Sequence, residues 1–176
     1  RILAAVDVGD AYPTAELNTR QALNGLIMEI AGALAVSEFA ELHVAHAWEV
    51  IGESALRHGA FMQVPESQVN AHVERVRKHR AELLDALISE VGAQLGQDAI
   101  DYINPQVHMP KGWARKVIPE LVAQLQVDCV VMGTVARTGV AGFFIGNTAE
   151  NILNQIECSV LAIKPPGFVT PVTLEE

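Results

Sequence analysis

Residues 129–134 read Cys129-Val130-Val131-Met132-Gly133-Thr134. The stretch continues through Val135-Ala136-Arg137-Thr138-Gly139 to Phe143-Phe144-Ile145-Gly146-Asn147-Thr148-Ala149-Glu150. A short continuous apolar run ending in glycine marks a strand buried on both faces, as in a parallel sheet. Gly133 then permits a tight turn and close backbone approach. Gly146 does the same just ahead of a predicted helix, with Asn147 as its expected N-cap. Glu150 follows three residues later, in an N-x-x-E variant of the capping box. A strand, a small-residue loop and a helix start, in that order, offer free backbone N–H groups and a helix dipole to an anion. Arg137 is placed to close over a phosphate with a charge-assisted fork.

Working outward, the same alternation recurs. Strand one is predicted at residues 2–6, ending in Asp7, and Gly9-Asp10 and Pro13-Thr14 mark a turn and a helix start. Leu23, Leu26, Ile27, Ile30 and Leu34 keep helical spacing within residues 14–36. Strand two is predicted at residues 41–48, followed by a segment without periodicity, residues 49–64, long enough to be a lid or a disordered insertion. A long helix over residues 66–95 carries the stripe Val69, Val73, Val76, Leu83, Leu87, Val91 and Leu95. Strand three, residues 100–108, is interrupted at Asn104-Pro105, which suits an edge. Trp113, Val117, Leu121 and Leu125 share a face in the next helical pattern, and Pro119 conflicts with it. Either the helix starts near Ile118, with Pro119 at its first position after an irregular turn, which is the preferred reading, or it is kinked at Pro119. Strand five is predicted at residues 160–164, where Pro165-Pro166 stops the sheet.

The order β-α-β-α-β-α-β-α-β predicts an α/β fold. Its doubly wound five-stranded parallel sheet has right-handed crossovers, helices on both faces and the strand order 3-2-1-4-5. The ligand crevice of such a sheet opens between strands one and four, beyond their C-terminal ends, where Asp7 and Gly133 stand. One domain is expected over residues 1–166, with a C-terminal tail over residues 167–176.

Composition narrows the class. Of the 176 residues half are hydrophobic but only 5% aromatic, which suits buried parallel strands. The net charge of −9 disfavours nucleic acid and anionic membrane surfaces as partners. Arg75, Arg77, Lys78 and Arg80 lie among Glu74, Glu82 and Asp85 and read as a solvated helix face. No apolar run reaches the roughly 18 residues of a membrane span, and no signal peptide opens the chain. The two cysteines, Cys129 and Cys158, fall in or beside apolar strands and read as small buried hydrophobes of a reducing compartment, hence the cytoplasm. His43 and His46, three apart on a strand, point to opposite faces and do not share a metal ion. Cys158 lacks an evident base, Asp7 lacks an acid partner, and the glycine loop lacks the Gly-Lys-Ser/Thr ending of a P-loop, so efficient ATP hydrolysis is not expected.

The sequence resembles the universal stress protein family over nearly its whole length. The resemblance rests on Asp7 at the end of strand one, His43-Val44 on strand two, the glycine loop, and the ending Glu157-Cys158-Ser159-Val160-Leu161-Ala162-Ile163-Lys164-Pro165. It implies a Rossmann-like, adenine nucleotide alpha hydrolase-like fold. It also implies ATP in the crevice, with Mg²⁺ entering only with the nucleotide. Asp7, Val44 and Met132 would then meet the nucleoside, and Gly133, Arg137, Gly146, Asn147 and Thr148 the phosphates. Two positions depart from the pattern of ATP-binding members: Ala136 stands where a second glycine is found, and Asn147 where a hydroxyl residue is found. If position 136 needs a positive φ, alanine there costs roughly 1–2 kcal/mol. The implied role is a stress-response sensor or regulator with little or no hydrolysis. The alternatives are a dimerisation scaffold that binds no nucleotide and a carrier of another small molecule. The resemblance further implies pairing through the strand from Val160 to Lys164, with a second copy or a sister domain. The wording of the glycine loop is similar to the second domain of tandem members, which would account for a chain that opens on a strand without Met.

Overall fold

The computed structural model of the protein describes residues 1–58, 64–95, 102–134 and 145–168. Five short apolar segments form one parallel sheet: β1 (Ile2–Ala5), β2 (Leu42–Ala45), β3 (Gln106–His108), β4 (Cys129–Gly133) and β5 (Ser159–Ile163). Their order is β3-β2-β1-β4-β5, as the alternation of elements predicts. The register sets Ile2 against both Leu42 and Cys129, and Ala5 against both Ala45 and Met132, so β1 lies between β2 and β4, and β1 and β4 flank the crevice.

Alternation along the strands feeds two cores. Ile2, Ala4, Val44 and Val131 face α1 (Thr14–Ser37) and α3 (Glu66–Leu95), where Ile27, Met28, Leu84 and Val91 cover them. Leu3, Ala45, Val130 and Met132 face the other way. They pack on Ile118, Leu121 and Val122 of α4 (Ala114–Leu125) and on Ala149 and Ile152 of α5 (Asn147–Leu153). The helices thus cover both faces of the sheet.

Four local expectations change. First, α4 begins at Ala114 and carries Pro119 inside it, not at its start. A proline there removes the N–H that would bond the carbonyl four residues earlier. That carbonyl, on Arg115, instead accepts a hydrogen bond from Gln155 Nε2 at 3.0 Å, so a side chain beyond α5 replaces the missing donor. Second, β2 ends at Ala45 rather than at residue 48. The chain then runs beside the end of β3 through His46 N–H to the His108 carbonyl, 3.0 Å, and Trp48 N–H to the Pro110 carbonyl, 3.1 Å. Third, residues 49–64 are not without structure: α2 (Glu53–His58) forms there. Glu53 bonds Arg57 one turn on, and Lys111 from across the chain. Fourth, β3 is only three residues long and starts after Pro105, with Asn104 at a positive φ of 41°; it does lie at the sheet edge.

Candidate functional site

The C-terminal ends of β1, β2 and β4 open into a cleft of about 960 Å³. An open parallel sheet binds ligands at such a place, because neighbouring crossovers leave the sheet on opposite faces there. Of the predicted site residues, Asp7, Met132, Gly133, Gly146, Asn147 and Thr148 line the cleft. Val44 does not: it is fully buried in the core under α1 and α3. The positions of β2 that reach the cleft are His46 and Ala47, just past the strand end. Arg137 and Ala136 lie outside the described residues.

Asp7 is held firmly. Asn24, buried on α1, clamps its backbone at both ends: Asn24 Oδ1 accepts from Asp7 N–H at 3.1 Å, and Asn24 Nδ2 donates to the Asp7 carbonyl at 2.7 Å. Its carboxylate is fully engaged as well. Oδ1 accepts from Gly9 N–H at 3.0 Å, and Oδ2 accepts from the Tyr12 hydroxyl at 3.0 Å and from Arg20 Nη1 at 2.6 Å. The Arg20 guanidinium lies 3.5 Å from the centre of the Tyr12 ring, so Tyr12, Asp7 and Arg20 form one stacked and hydrogen-bonded unit. Burial, and then the neighbouring Asp7 charge, push the Tyr12 phenol up, so it stays protonated as a donor.

Asp10 anchors the same loop to α3. It accepts from His79 Nε2 at 2.6 Å and Arg80 Nη1 at 2.5 Å, and these bonds, that to His79 first, hold its carboxyl down at about 2. Arg80 is therefore more than a solvated cation: its side chain is only 16% exposed and lines the cleft. Arg77 and Lys78 keep to the helix surface, paired with Glu74 and Glu82.

His46 is buried, with Nδ1 3.3 Å from the Val6 carbonyl. A carbonyl only accepts, so Nδ1 carries the proton and Nε2 presents a lone pair. Burial pushes the imidazole pKa down and keeps the ring neutral. Neither His46 Nε2 nor the hydroxyl of buried Thr134 has a hydrogen-bond partner among the described residues, and both residues line the cleft. His43, by contrast, meets His108 across the strands, Nδ1 to Nε2 at 3.0 Å. No cluster of three or more metal-ligating side chains forms among the described residues.

On the far wall, Gly133 and Gly146 play different parts. A Cβ on Gly133 would lie 2.7 Å from Leu23 Cδ2, so the glycine lets Leu23 of α1 sit close against β4. Gly146 is the N-cap of α5, with φ −77° and ψ 150°, and its N–H donates to the Thr134 carbonyl at 2.7 Å. Asn147 thus sits in the first turn rather than at the cap, and no side-chain capping bond forms, contrary to the expected capping box. Nothing in the spacing distinguished the two, because Gly and Asn both suit the cap position.

The rim carries residues that sequence patterning did not mark as site residues. Trp113 was expected on the buried stripe of its helix, but it is the N-cap of α4 and 56% exposed. Arg115 lies over its indole, 4.3 Å from the ring centre. Trp48 is buried in the cleft wall, its indole N–H bonded to the Met109 carbonyl at 3.0 Å. Ile51, exposed, completes this apolar side. Arg20 left no signal in the apolar spacing of α1, and Trp113 left the wrong one.

Comparison with known proteins agrees with this architecture. The sequence model described as "Universal stress protein family" matches residues 1–164. Universal stress protein E of Escherichia coli K12 is 34% identical over 116 residues, covering 65% of this chain and 34% of that protein. The chain therefore spans about a third of the length of that relative. A protein of unknown function from Pseudomonas aeruginosa PAO1 superposes with a TM-score of 0.63 at 30% identity, over 93% of this chain and 47% of that one. A universal stress protein solved in complex with cAMP shares the fold, with a TM-score of 0.52 at 17% identity over 93% of this chain and 95% of that one. No helix among the described residues is long and apolar enough to cross a membrane.

Proposed function

Because the chain belongs to the universal stress protein family, we propose that it binds an adenine nucleotide, ATP in the first instance, in the cleft at the ends of β1 and β4. It would act as a stress-response sensor or regulator and not as a metabolic enzyme. The observation that carries this reading is the cleft itself: about 960 Å³ at the switch point of the sheet, with Asp7, Met132, Gly133, Gly146, Asn147 and Thr148 on its wall. A fold relative crystallised with cAMP supports a nucleotide as the ligand class. Mg²⁺ would enter with the nucleotide. Arg137 would meet the phosphates from the glycine loop. Hydrolysis is slow or absent in this reading, because the Asp7 carboxylate is already committed to Gly9, Tyr12 and Arg20 and is not a free base. The protein would work in the cytoplasm, without nucleic acid or membrane as partner.

Assembly through β5 is part of the proposal. Among the described residues that strand pairs only with β4, and Leu161 on it is 40% exposed, so a sheet edge with apolar character invites a second copy or a sister domain. Pairing would put the scaffold role and the ligand role in one molecule.

The test is calorimetric titration of nucleotide-stripped protein with ATP and magnesium. Micromolar binding is expected. Silence up to millimolar ATP would remove the nucleotide reading and leave a scaffold, or a carrier of another small molecule whose pocket Ile51 and the segment leading into α2 help to shape.

A further inference from the structure

Two cations of the cleft are already neutralised, Arg20 by Asp7 and Arg80 by Asp10. Arg115 is different: it forms no ion pair among the described residues and instead lies on the indole of Trp113. That indole is 56% exposed at the cleft rim, in a chain with only two tryptophans, the other of which is buried. What singles this pair out is its place: an indole half open to water and a guanidinium with no carboxylate partner among the described residues both line a ligand-sized cleft. Its complement is a flat ring joined to a negative charge, the ring stacking on the indole and the anion meeting the guanidinium.

We infer that Trp113 is the stacking platform for the ring of the cleft's ligand, and that Arg115 receives the anionic group attached to that ring. The inference rests on the nucleotide reading above and sharpens it: the base stacks at the α4 end of the cleft rather than lying only against Asp7 and Met132. Trp113 is a binding residue here, with no role in the hydrophobic core. Its position at the N-cap of α4 fixes the indole where the chain leaves the sheet, with Gly112 before it at a φ of +139° that an L residue rarely adopts.

Tryptophan emission of the 176-residue chain tests this, titrated in parallel with ATP, adenosine and inorganic tripolyphosphate. The exposed, red-shifted emission is expected to be strongly quenched by ATP and adenosine, which carry the ring, and to change less with tripolyphosphate, which reaches only the Arg115 guanidinium lying on the indole. Trp113→Ala should abolish the quench and weaken ATP binding in calorimetry about five- to a hundredfold. Trp113→Phe should retain most of the affinity, and circular dichroism should show both variants folded. ATP binding by Trp113→Ala within twofold of the parent would overturn the inference and leave the nucleotide reading intact. Equal emission changes from ATP and tripolyphosphate would also overturn it. Absence of any ATP heat in the parent protein would end both.

Discussion

Replacing Gly133 by alanine would place a Cβ 2.7 Å from Leu23 Cδ2, 3.3 Å from Leu23 Cγ and 3.6 Å from Ile27 Cδ1. The first distance is well inside van der Waals contact, but Leu23 Cδ2 is the end of a flexible side chain that also lines the cleft, so its movement relieves part of the overlap. Over-packing of this kind costs typically about 1–3 kcal/mol. Reduced freedom of the unfolded chain returns roughly 0.4–1 kcal/mol, since Gly133 is not among the glycines at positive φ. The net is a loss between about 0 and 2.6 kcal/mol, or up to roughly 10 °C in Tm for a domain of this size. Urea denaturation of the parent, Gly133→Ala, Leu23→Ala and the double variant measures it. Leu23→Ala alone should lose about 2–5 kcal/mol. The double variant should lose less than the sum, by about 1 kcal/mol or more, because the new methyl enters the space that the leucine vacates. Strict additivity in the double variant would refute the packing role and return Gly133 to the ligand alone.

Gly146→Ala tests the ligand instead. Its φ of −77° suits any residue and, among the described residues, a Cβ would meet only the Thr134 carbonyl at 3.4 Å, so the stability cost should be that of a poorer N-cap, about 1 kcal/mol or less, while ATP affinity falls if phosphates approach there. An unchanged affinity in calorimetry would remove Gly146 from the phosphate site. Gln155→Ala should cost about 0.5–1 kcal/mol by freeing the Arg115 carbonyl, and adding Pro119→Ala should recover part of it by restoring a helical N–H; no recovery in the urea midpoint would show that the Gln155 bond does not substitute for the missing donor. Stability should also fall as pH drops from 7.5 to 5.5. Burial holds the His43, His46 and His108 pKa values below the ordinary 6.5, so in that window the unfolded chain takes up protons that the folded one refuses. Asp10 acts lower: its carboxyl is held at about 2, so its contribution is present above the ordinary carboxylate range and disappears as pH falls toward that value. A urea midpoint that is flat from pH 7.5 to 5.5 would contradict the histidine assignment.

The sheet was legible because its central strands, β1, β2 and β4, are buried on both faces. Continuous runs such as Val130-Val131-Met132, each followed by a helical pattern, leave little choice but a parallel α/β order. The cleft was legible for the same reason, since its position follows from topology. Misreadings arose where a third segment supplies what the local sequence lacks. Pro119 sits inside α4 because Gln155, distant in sequence, bonds the carbonyl it orphans. Trp113 fits the apolar stripe by spacing, yet the cap position turns it out to the rim. α2 was missed because none of its residues is buried, so it has no periodicity to read. Val44 and His46 differ only in which side of the strand end they occupy, which depends on where β2 stops.

The central claim is that the cleft at the ends of β1 and β4 holds a nucleotide. Amide chemical-shift mapping of labelled protein during titration with ATP and magnesium tests it most directly. Shifts clustered at residues 5–7, 46–48, 112–115, 132–134 and 146–149 are predicted, growing to saturation with a micromolar midpoint. Spectra that do not move at millimolar ATP, or that move only at surfaces away from these residues, would contradict it.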